Sequence, residues 1–456
     1  MGKGQSENPL TRAFWLGSVD PRPFAIFRIG LGVTVLHDLV DYALDLRAFL
    51  ADDGMLPRGV VHDPFTWSVF DLVGGMPGVT ILFAIGVLAV IAFTIGFQTR
   101  IATVVSWLFL ISLHHRNYYV TDGGDDLVRI LFFWSMFCDL GSAYGVDARR
   151  RGARAMHAFV PRLLQAHIAV LYLVAALLKL RIGWLHGDAI FLTLQLDGFV
   201  RPFGAWLGTH PALCKLATRS IVLMELGFPF FAFAPWRRKE TRAIAIMLGA
   251  GVQLGVLFAM RVGIFTETML CILAMWLQPE WIDRFAPARV EEAPTEPRAM
   301  NALYAALGLQ FVLAVWDPFL ARRLPLPRFI KTERTAISIV QPFGLFDTTY
   351  AVPRWDAPGK LGDGTDLEVL SVVAPGARPR EPGVRFSRWN KFTFKEIEHP
   401  IAYAELGAYF CRAHDERTGK KLASFTLVND ATPPHDVSGR AAPAMHTVLW
   451  EQRCTP

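Results

Sequence analysis

Long stretches of apolar residues fill the chain from about residue 23 to residue 317. A helix that spans the roughly 30 Å hydrocarbon core of a membrane needs about 20 residues, at ~1.5 Å each. By this length the stretches predict about nine transmembrane helices, at residues 23–45, 78–97, 101–120, 126–144, 162–180, 217–235, 242–260, 262–278 and 300–317. The helix at 78–97 contains no charged residue at all. The pattern therefore predicts an all-α polytopic membrane bundle.

The remaining sequence, residues 318–456, has the mixed polar and apolar pattern of a soluble domain. Short β-like runs such as 366–373, a turn signal at Asp363-Gly364 and a helical run near 401–413 predict a small α+β fold. The chain thus divides into an N-terminal segment at 1–22, a transmembrane domain at 23–317 and a soluble C-terminal domain at 318–456.

The composition supports a membrane protein. Of the 456 residues, 52% are hydrophobic and only 19% are charged, whereas soluble proteins carry about 25% charge. These values exclude a soluble enzyme, a disordered chain and a fibrous protein. The net charge of +6 does not indicate nucleic-acid binding, because the basic residues lie in short loops beside apolar stretches. The five cysteines are too scattered for a zinc site, and Cys411 and Cys454 either pair or stay free, depending on the compartment.

The loops rich in arginine predict the orientation. Residues 145–161 and 236–242 carry clusters of arginine and lysine, and such loops stay in the cytoplasm. With nine helices, the N-terminal segment is cytoplasmic and the C-terminal domain lies on the outer face of the cell membrane. The basic residues between 322 and 334 favour the opposite side for this domain, which would require eight or ten helices.

Ionisable residues inside the apolar stretches are the best candidates for chemistry, because each costs about 2.5–3.5 kcal/mol or more at mid-membrane. Glu225 lies near the middle of the sixth predicted helix and needs a proton or a partner. On the fifth, Gln165, Tyr172 and Lys179 recur every seven residues and share one face. Desolvation favours the neutral amine of a buried lysine, which can act as a general base. The alternative is that Lys179 lies at the outer end and extends past Trp184 to the membrane surface.

The segment YLVAALLKLRIGWLHG, at 172–187, resembles the lysine segment of the vitamin K-dependent γ-carboxylases. Over about residues 20–290 the chain is similar to bacterial relatives of these enzymes, the HTTM (horizontally transferred transmembrane) domain family. The other segments that carry the resemblance are Phe27-Arg28, Leu36-His37-Asp38, GFQTRIA at 96–102, RNYYVTDGGD at 116–125, GIF at 263–265 and PEW at 279–281, with weaker similarity at 341–346 and 388–392.

The resemblance implies an activity. In the carboxylases the lysine matched by Lys179 deprotonates a reduced quinone, oxygen adds, and a glutamyl γ-carbon is deprotonated and captures carbon dioxide while quinone epoxide forms. We therefore expect Lys179 as the catalytic base, in a quinol pocket lined by Gln165, Tyr172, Trp184, Asp38, Glu225 and Gln253. The expected cofactors are vitamin K hydroquinone or menaquinol, O2 and CO2, without a metal. The expected partners are membrane lipid, the lipid-soluble quinol and a secreted peptide or protein, and no nucleic acid.

Two positions depart from the carboxylase pattern. Gln253 stands where a histidine is expected, and an amide cannot shuttle protons as imidazole does. Asn117-Tyr118 replaces an expected Asn-His pair. The acidic residues around Asp125 either bind a cation or form a solvated loop. A second interpretation therefore stays open: a non-enzymatic HTTM membrane protein that assists the maturation or export of a secreted peptide.

Overall fold

The structure is a computed structural model in which a helical domain is followed by a smaller domain with a β-sheet. It describes residues 8–60, 66–181, 184–196, 198–287, 289–292, 300–316, 319, 323–337, 353–377, 387–393, 400–440 and 442–454. The weak sequence similarity at 341–346 lies outside these residues.

The first domain is built from helices joined by short loops. In chain order they are α1 (Arg12–Leu16), α2 (Arg22–Leu44), α3 (Leu46–Leu50), α4 (Met76–Ile95), α5 (Thr99–Arg116), α6 (Gly123–Ser135), α7 (Val146–Arg151), α8 (Phe159–Arg181), α9 (Ala189–Thr193), α10 (Pro202–Gly208), α11 (Pro211–Phe233), α12 (Arg238–Ala259), α13 (Phe265–Ile272), α14 (Pro279–Ile282) and α15 (Met300–Ala314). Two short strand pairs join loops of this domain: β1 (Ser18–Val19) with β3 (Met156–His157), and β2 (Ala153–Arg154) with β4 (Val290–Glu291).

Five helices of the described residues are long and apolar enough to cross a membrane, namely α2, α4, α8, α11 and α12. Two further apolar helices, Phe265–Trp276 and Met300–Ala314, are shorter. All nine predicted segments contain helix, but nine spans are not confirmed. The reason is helix length and polarity: α6 has 13 residues, about 20 Å of helix, and α5 ends in two histidines and an arginine.

Helix α2 lies at the centre of the bundle and packs against α4 and α13. Arg28, near its beginning, is fully buried, and its guanidinium donates to the carbonyl oxygens of Leu140 (2.8 Å) and Tyr144 (2.6 Å). Gly96 ends α4 with a φ of 70°, and a Cβ there would lie 2.6 Å from the Arg28 guanidinium. Glycine is therefore required both for the left-handed backbone and for the close approach. These contacts fix the end of the bundle that carries the basic loop at 145–161.

The C-terminal domain is an antiparallel sheet covered by one long helix. Its elements are α16 (Arg328–Ala336), β5 (Trp355–Asp356), β6 (Pro358–Leu361), β7 (Asp366–Glu368), α17 (Val369–Val373), α18 (Arg388–Phe392), α19 (Pro400–Thr418), β8 (Leu422–Ala431) and β9 (Met445–Arg453). The strand order is β5-β8-β6-β7, and β9 also pairs with β8. A disulfide between Cys411 and Cys454 joins α19 to the residue that follows β9, so these two cysteines are paired.

Only the first residues of one predicted strand of this domain form a strand in the structure. The run 366–373 is extended as far as Glu368 and then turns into helix α17. The Glu368 carboxylate accepts a hydrogen bond from the Leu370 N–H at 3.2 Å, which caps the new helix. The apolar residues after Glu368 fit a buried helix as well as a strand, and the cap decides for the helix.

The C-terminal domain docks on the end of the bundle opposite to Arg28. Arg47, just after α2, donates to the Glu416 carboxylate at 2.8 Å. Gln195 donates to the His435 carbonyl oxygen at 2.8 Å. Arg388 in α18 contacts Asp38, in the second half of α2. The domain therefore covers the end of the bundle at which α2 and α8 finish.

Candidate active site

A buried ion pair joins α8 to α11. The ammonium nitrogen of Lys179 lies 2.8 Å and 2.9 Å from the two carboxylate oxygens of Glu225. Lys179 is 5% exposed and Glu225 6% exposed. The sequence left open whether Lys179 extends to the membrane surface. In the structure it does not, because its side chain stays inside the bundle against Glu225.

The position of this pair follows from helix packing and from one proline. Helix α8 packs against α11 along much of its length, which brings two distant residues of opposite charge together. Pro229 lies inside α11, four residues after Glu225. Because proline has no N–H, the Glu225 carbonyl loses its usual helical donor. Helix α11 therefore has a backbone carbonyl without its helical hydrogen bond at Glu225, the residue that pairs with Lys179.

A cavity of about 70 Å³ lies beside the ion pair. This is several times the roughly 10–15 Å³ that one water needs. Most of the residues that line it are apolar: Leu171, Tyr172, Ala175, Lys179, Trp184, Ile190, Thr193, Ile221, Glu225, Val252, Gln253, Val256, Met260, Phe265 and Met269. The cavity therefore suits an apolar ligand that brings one or two polar groups to the ammonium.

Three polar or aromatic side chains complete this cavity. The Lys179 ammonium lies 5.2 Å from the ring centroid of Trp184, within cation–π distance. The Gln253 amide donates weakly to the Tyr172 hydroxyl at 3.5 Å. The carbonyl oxygen of the Gln253 side chain is buried and has no hydrogen-bond partner among the described residues. An unpartnered buried acceptor of this kind is costly unless a ligand donor satisfies it.

Tyr172 is held rigidly at the wall of the cavity. Its ring stacks on Phe228, with ring centroids 4.2 Å apart and an angle of 29° between the planes. A Cβ at Gly249 would lie 3.3 Å from the Tyr172 hydroxyl, so glycine at this position leaves room for the hydroxyl. The structure thus brings together five of the predicted residues: Lys179, Glu225, Tyr172, Gln253 and Trp184.

Gln165 lies apart from these five residues. Its amide donates to the Met275 carbonyl oxygen at 2.8 Å, and its own side-chain oxygen accepts from Arg162 at 2.9 Å. Gln165 shares a helical face with Lys179, but it lies about 21 Å away along α8. It closes hydrogen bonds at the far end of the bundle and is not among the residues that line the cavity.

Asp38 also lies apart, in a second group of buried charges. Arg388 of the C-terminal domain donates to both oxygens of Asp125, each at 2.9 Å, and to Asp38. The guanidinium lies 3.9 Å from the ring centroid of Tyr42. His114 approaches the Asp125 carboxylate at 3.3 Å. We call Asp38, Tyr42, His114, Asp125 and Arg388 the arginine cluster.

The arginine cluster contains a potential set of metal ligands, because Asp38, His114 and Asp125 bring their ligand atoms within 4.8 Å of one another. The guanidinium of Arg388 already donates to both carboxylates. Burial alone lowers the pKa of Arg388, but Asp125 and Asp38 raise it well above its usual value, so the guanidinium stays charged. The idea of a solvated loop around Asp125 is wrong, since Asp125 is completely buried.

The sequence did not identify Arg388 or His114 as site residues. Arg388 belongs to a segment with weak family resemblance, 388–392, and that segment was the available signal. Its partner Asp38 lies 350 residues earlier, so no local spacing connects them. The pair could be found only by asking which cation neutralises a buried aspartate near the end of α2.

Comparison with protein families gives a match over the helical domain. The family model described as the HTTM domain matches residues 17–281, which is more than half of the chain. The matched region extends from β1 into α14 and includes the whole Lys179 cavity. It leaves Arg388 and the C-terminal domain outside. Neither the curated proteins nor the solved structures contain a match to this chain.

Proposed function

The chain belongs to the HTTM domain family, a carboxylase-related family of membrane proteins, and from this premise we propose that it is a quinol-dependent carboxylase. In this proposal, epoxidation of a reduced quinone is coupled to carboxylation of a glutamyl residue. One observation carries it: a buried lysine paired with a glutamate beside an apolar cavity within the bundle.

Lys179 serves as the base in this proposal. Its ammonium proton passes to the Glu225 carboxylate, 2.8 Å away, which leaves a neutral amine. The transfer exchanges two buried charges for two neutral, hydrogen-bonded groups, and burial penalises charge. The neutral amine then accepts a proton from a quinol hydroxyl. Glu225 thus does more than hold Lys179 in place, because it stores the displaced proton.

The residues around the pair fit a quinol. Its ring would lie against the apolar wall, and its hydroxyl groups would meet Lys179 and the unpartnered oxygen of Gln253. The bound quinol supplies the electrons for oxygen reduction, and O2 and CO2 are the other small reactants. The Trp184 ring lies within cation–π distance of the ammonium. The donors and acceptors present call for no metal in this step.

Because position 253 is a glutamine and not a histidine, the proton that leaves Lys179 needs another acceptor. A histidine at this position could accept a proton, whereas an amide can only donate or accept a hydrogen bond. Glu225 is the nearest proton acceptor to Lys179 in the described part of the chain. We therefore assign Gln253 a binding role and Glu225 the acid–base role.

The proposed topology has the basic loops in the cytoplasm and the C-terminal domain on the outer face of the cell membrane. Two observations support it. The domain docks on the end of α2 opposite to the basic loop at 145–161. It also contains a disulfide, which persists in oxidising compartments. A secreted peptide or protein could then reach the site from outside, and the quinol could reach it through the lipid.

A second candidate is a non-enzymatic membrane protein that assists the maturation or export of a peptide. It is favoured by the fact that both Glu225 oxygens already contact Lys179. A saturated ion pair of this kind can simply hold α8 and α11 together. The C-terminal domain would then bind the peptide without chemistry.

The test is epoxide formation by the full-length protein in lipid nanodiscs. Menaquinol or vitamin K hydroquinone is supplied in air, and quinone epoxide is quantified by chromatography. Wild type is expected to form epoxide, and Lys179→Ala to lower the rate at least about 100-fold, because a positioned general base contributes about 10²–10⁴. Lys215→Ala is the matched control, since Lys215 is exposed on the same helix as Glu225.

A loss of folding must be separated from a loss of chemistry. The double variant Lys179→Met, Glu225→Leu removes both charges and retains apolar bulk, so it is expected to fold and yet form no epoxide. Folding is checked by size-exclusion chromatography and circular dichroism. Well-folded wild type that forms no epoxide from either quinol would overturn the proposal and favour the second candidate.

A further inference from the structure

A second, larger cavity lies between the bundle and the C-terminal domain. Its volume is about 400 Å³. Unlike the Lys179 cavity, it is lined mainly by charged groups: His37, Asp38, Asp41, Asp122, Arg201, Arg261, Gly263, Ile264, Glu267, Ser387, Arg388 and Lys391. The proposed function does not use this cavity.

The acidic side chains of this cavity are all engaged. Asp38 is bound by Arg388. Asp122 contacts the Lys391 ammonium at 3.0 Å, and Glu267 contacts His37 at 3.0 Å. The fourth, Asp41, is not free either. Each carboxylate of the cavity therefore already has a partner.

Two arginines of the cavity have no such partner. Neither Arg201 nor Arg261 forms an ion pair or a side-chain hydrogen bond with any residue that the structure describes. The Nε–H group of Arg201 is buried without an acceptor. A guanidinium has five donors and cannot lose its charge in a protein. The cavity thus holds two guanidinium groups that have no protein acceptor among the described residues.

The backbone explains why these two arginines are neighbours. Val200 and Met260 form an antiparallel β-bridge. Around it the Arg201 N–H donates to the Ala259 carbonyl oxygen at 2.9 Å, and the Arg261 N–H donates to the Phe199 carbonyl oxygen at 2.7 Å. Side chains alternate sides along extended chain. Arg201 and Arg261 therefore lie on one side of the bridge.

The other side of the same bridge faces the Lys179 cavity. Met260 and Phe265 line that cavity, whereas Arg261 and Ile264 line the charged one. The segment 260–265 is thus a wall shared by two cavities of different character, one mainly apolar and one lined mainly by charged groups. A molecule bound by the arginines would lie directly across this wall from the ion pair.

We propose that Arg201 and Arg261 form a binding site for an oxyanion, either a carboxylate or a phosphate. Two guanidinium groups on one side of a rigid bridge match the paired oxygens of such groups, and they do so in charge-assisted hydrogen bonds. The ligand is either a soluble acidic molecule or the headgroup of an anionic lipid. Binding requires no turnover, so this site is tested separately from the proposed carboxylase activity.

The test measures binding to the full-length protein in two arms. In the first, inorganic phosphate and succinate are titrated into protein in phosphatidylcholine nanodiscs, at constant ionic strength set with chloride, and heat of binding is recorded. In the second, thermal unfolding is compared between phosphatidylcholine nanodiscs and nanodiscs that contain phosphatidylglycerol. The first arm detects a soluble ligand, and the second a lipid headgroup.

Arg201→Gln with Arg261→Gln is expected to weaken binding at least about tenfold, which is the effect of one lost charge-assisted hydrogen bond. Arg261→Lys keeps the charge and should retain part of the affinity. Arg284→Gln is the matched control, because Arg284 is exposed near α14, at the other end of the bundle. If neither arm detects binding, or if the double variant binds as well as wild type, the proposal is overturned.

Discussion

Two groups of buried charges lie in different parts of this molecule, and they differ in what surrounds them. Lys179 has one carboxylate, Glu225, and a cavity beside it. Arg388 has two carboxylates, Asp125 and Asp38, and an aromatic ring packed against its guanidinium. The first group joins two helices of the bundle, whereas the second joins the bundle to the C-terminal domain.

This difference distinguishes a group of residues that can take part in a reaction from a group that holds the two domains together. Lys179 has a single carboxylate partner among the described residues, and an ammonium group can exchange a proton with a ligand. Arg388 is surrounded by acceptors, and a guanidinium cannot give up its proton. We therefore interpret the Lys179 pair as the reactive group and the arginine cluster as the link between the domains. The following variants test this division, from the largest expected effect to the smallest.

Arg388→Ala is expected to have the largest effect on stability. It leaves Asp125 and Asp38 buried without their cation, and breaking a buried pair costs about 3–5 kcal/mol. Limited proteolysis should then cleave the C-terminal domain faster, and thermal unfolding should begin earlier. Arg354→Ala is the control, because its exposed pair with Asp356 is worth at most about 1 kcal/mol. Equal effects of the two variants would contradict the role of Arg388.

The Lys179 pair should show strong coupling between its two partners. Lys179→Met alone and Glu225→Leu alone each leave one buried charge, at a cost of about 3–5 kcal/mol. The double variant removes both charges and should be much closer to wild type. Thermal unfolding of all four proteins in nanodiscs gives the coupling free energy. Additive effects would show that the two side chains do not depend on each other.

Removal of the disulfide tests whether the C-terminal domain depends on Arg388 alone. Cys411→Ser with Cys454→Ser opens a loop with a sequence separation of 43 residues, and such a loss costs about 2–4 kcal/mol. Proteolysis of the C-terminal domain should increase, while thermal unfolding of the bundle changes little. Cys138→Ser is not a suitable control because Cys138 is buried; untreated and reduced wild type are compared instead.

Tyr172→Phe should have the smallest effect. The hydroxyl makes one long hydrogen bond, 3.5 Å to Gln253, and a normal bond contributes only about 0.5–1.5 kcal/mol. Stability should fall by less than about 1 kcal/mol, since the ring keeps its stacking on Phe228. Epoxide formation should fall by less than about tenfold. A loss as large as that of Lys179→Ala would make Tyr172 part of the reactive group.

The long apolar helices were predictable because hydropathy is a local property. Helices α4 and α8 follow directly from runs of about 20 apolar residues. The number of transmembrane spans was not predictable in this way. An apolar run indicates burial and does not say whether lipid or protein surrounds the helix. Helix α6 shows the problem: its segment is apolar, but it forms only 13 residues of helix behind a capping box at Asp122.

The site was predictable as a set of residues but not as an arrangement. Lys179 and Glu225 were each identified by the cost of a charge in an apolar helix, yet their contact depends on how α8 packs against α11. Gln165 was included because it shares a helical face with Lys179, and periodicity does not say how far a cavity extends. Arg201 and Arg261 lie on two separate segments, and a β-bridge brings them together.

The arginine cluster also sets an order of events during synthesis. Asp38 leaves the ribosome 350 residues before Arg388, which corresponds to roughly 20–70 s at about 5–20 residues per second. Throughout this interval α2 has already been synthesised, while the arginine that pairs with its aspartate has not yet been made. The contacts of the arginine cluster therefore form only after one of the last segments of the nascent chain has been made.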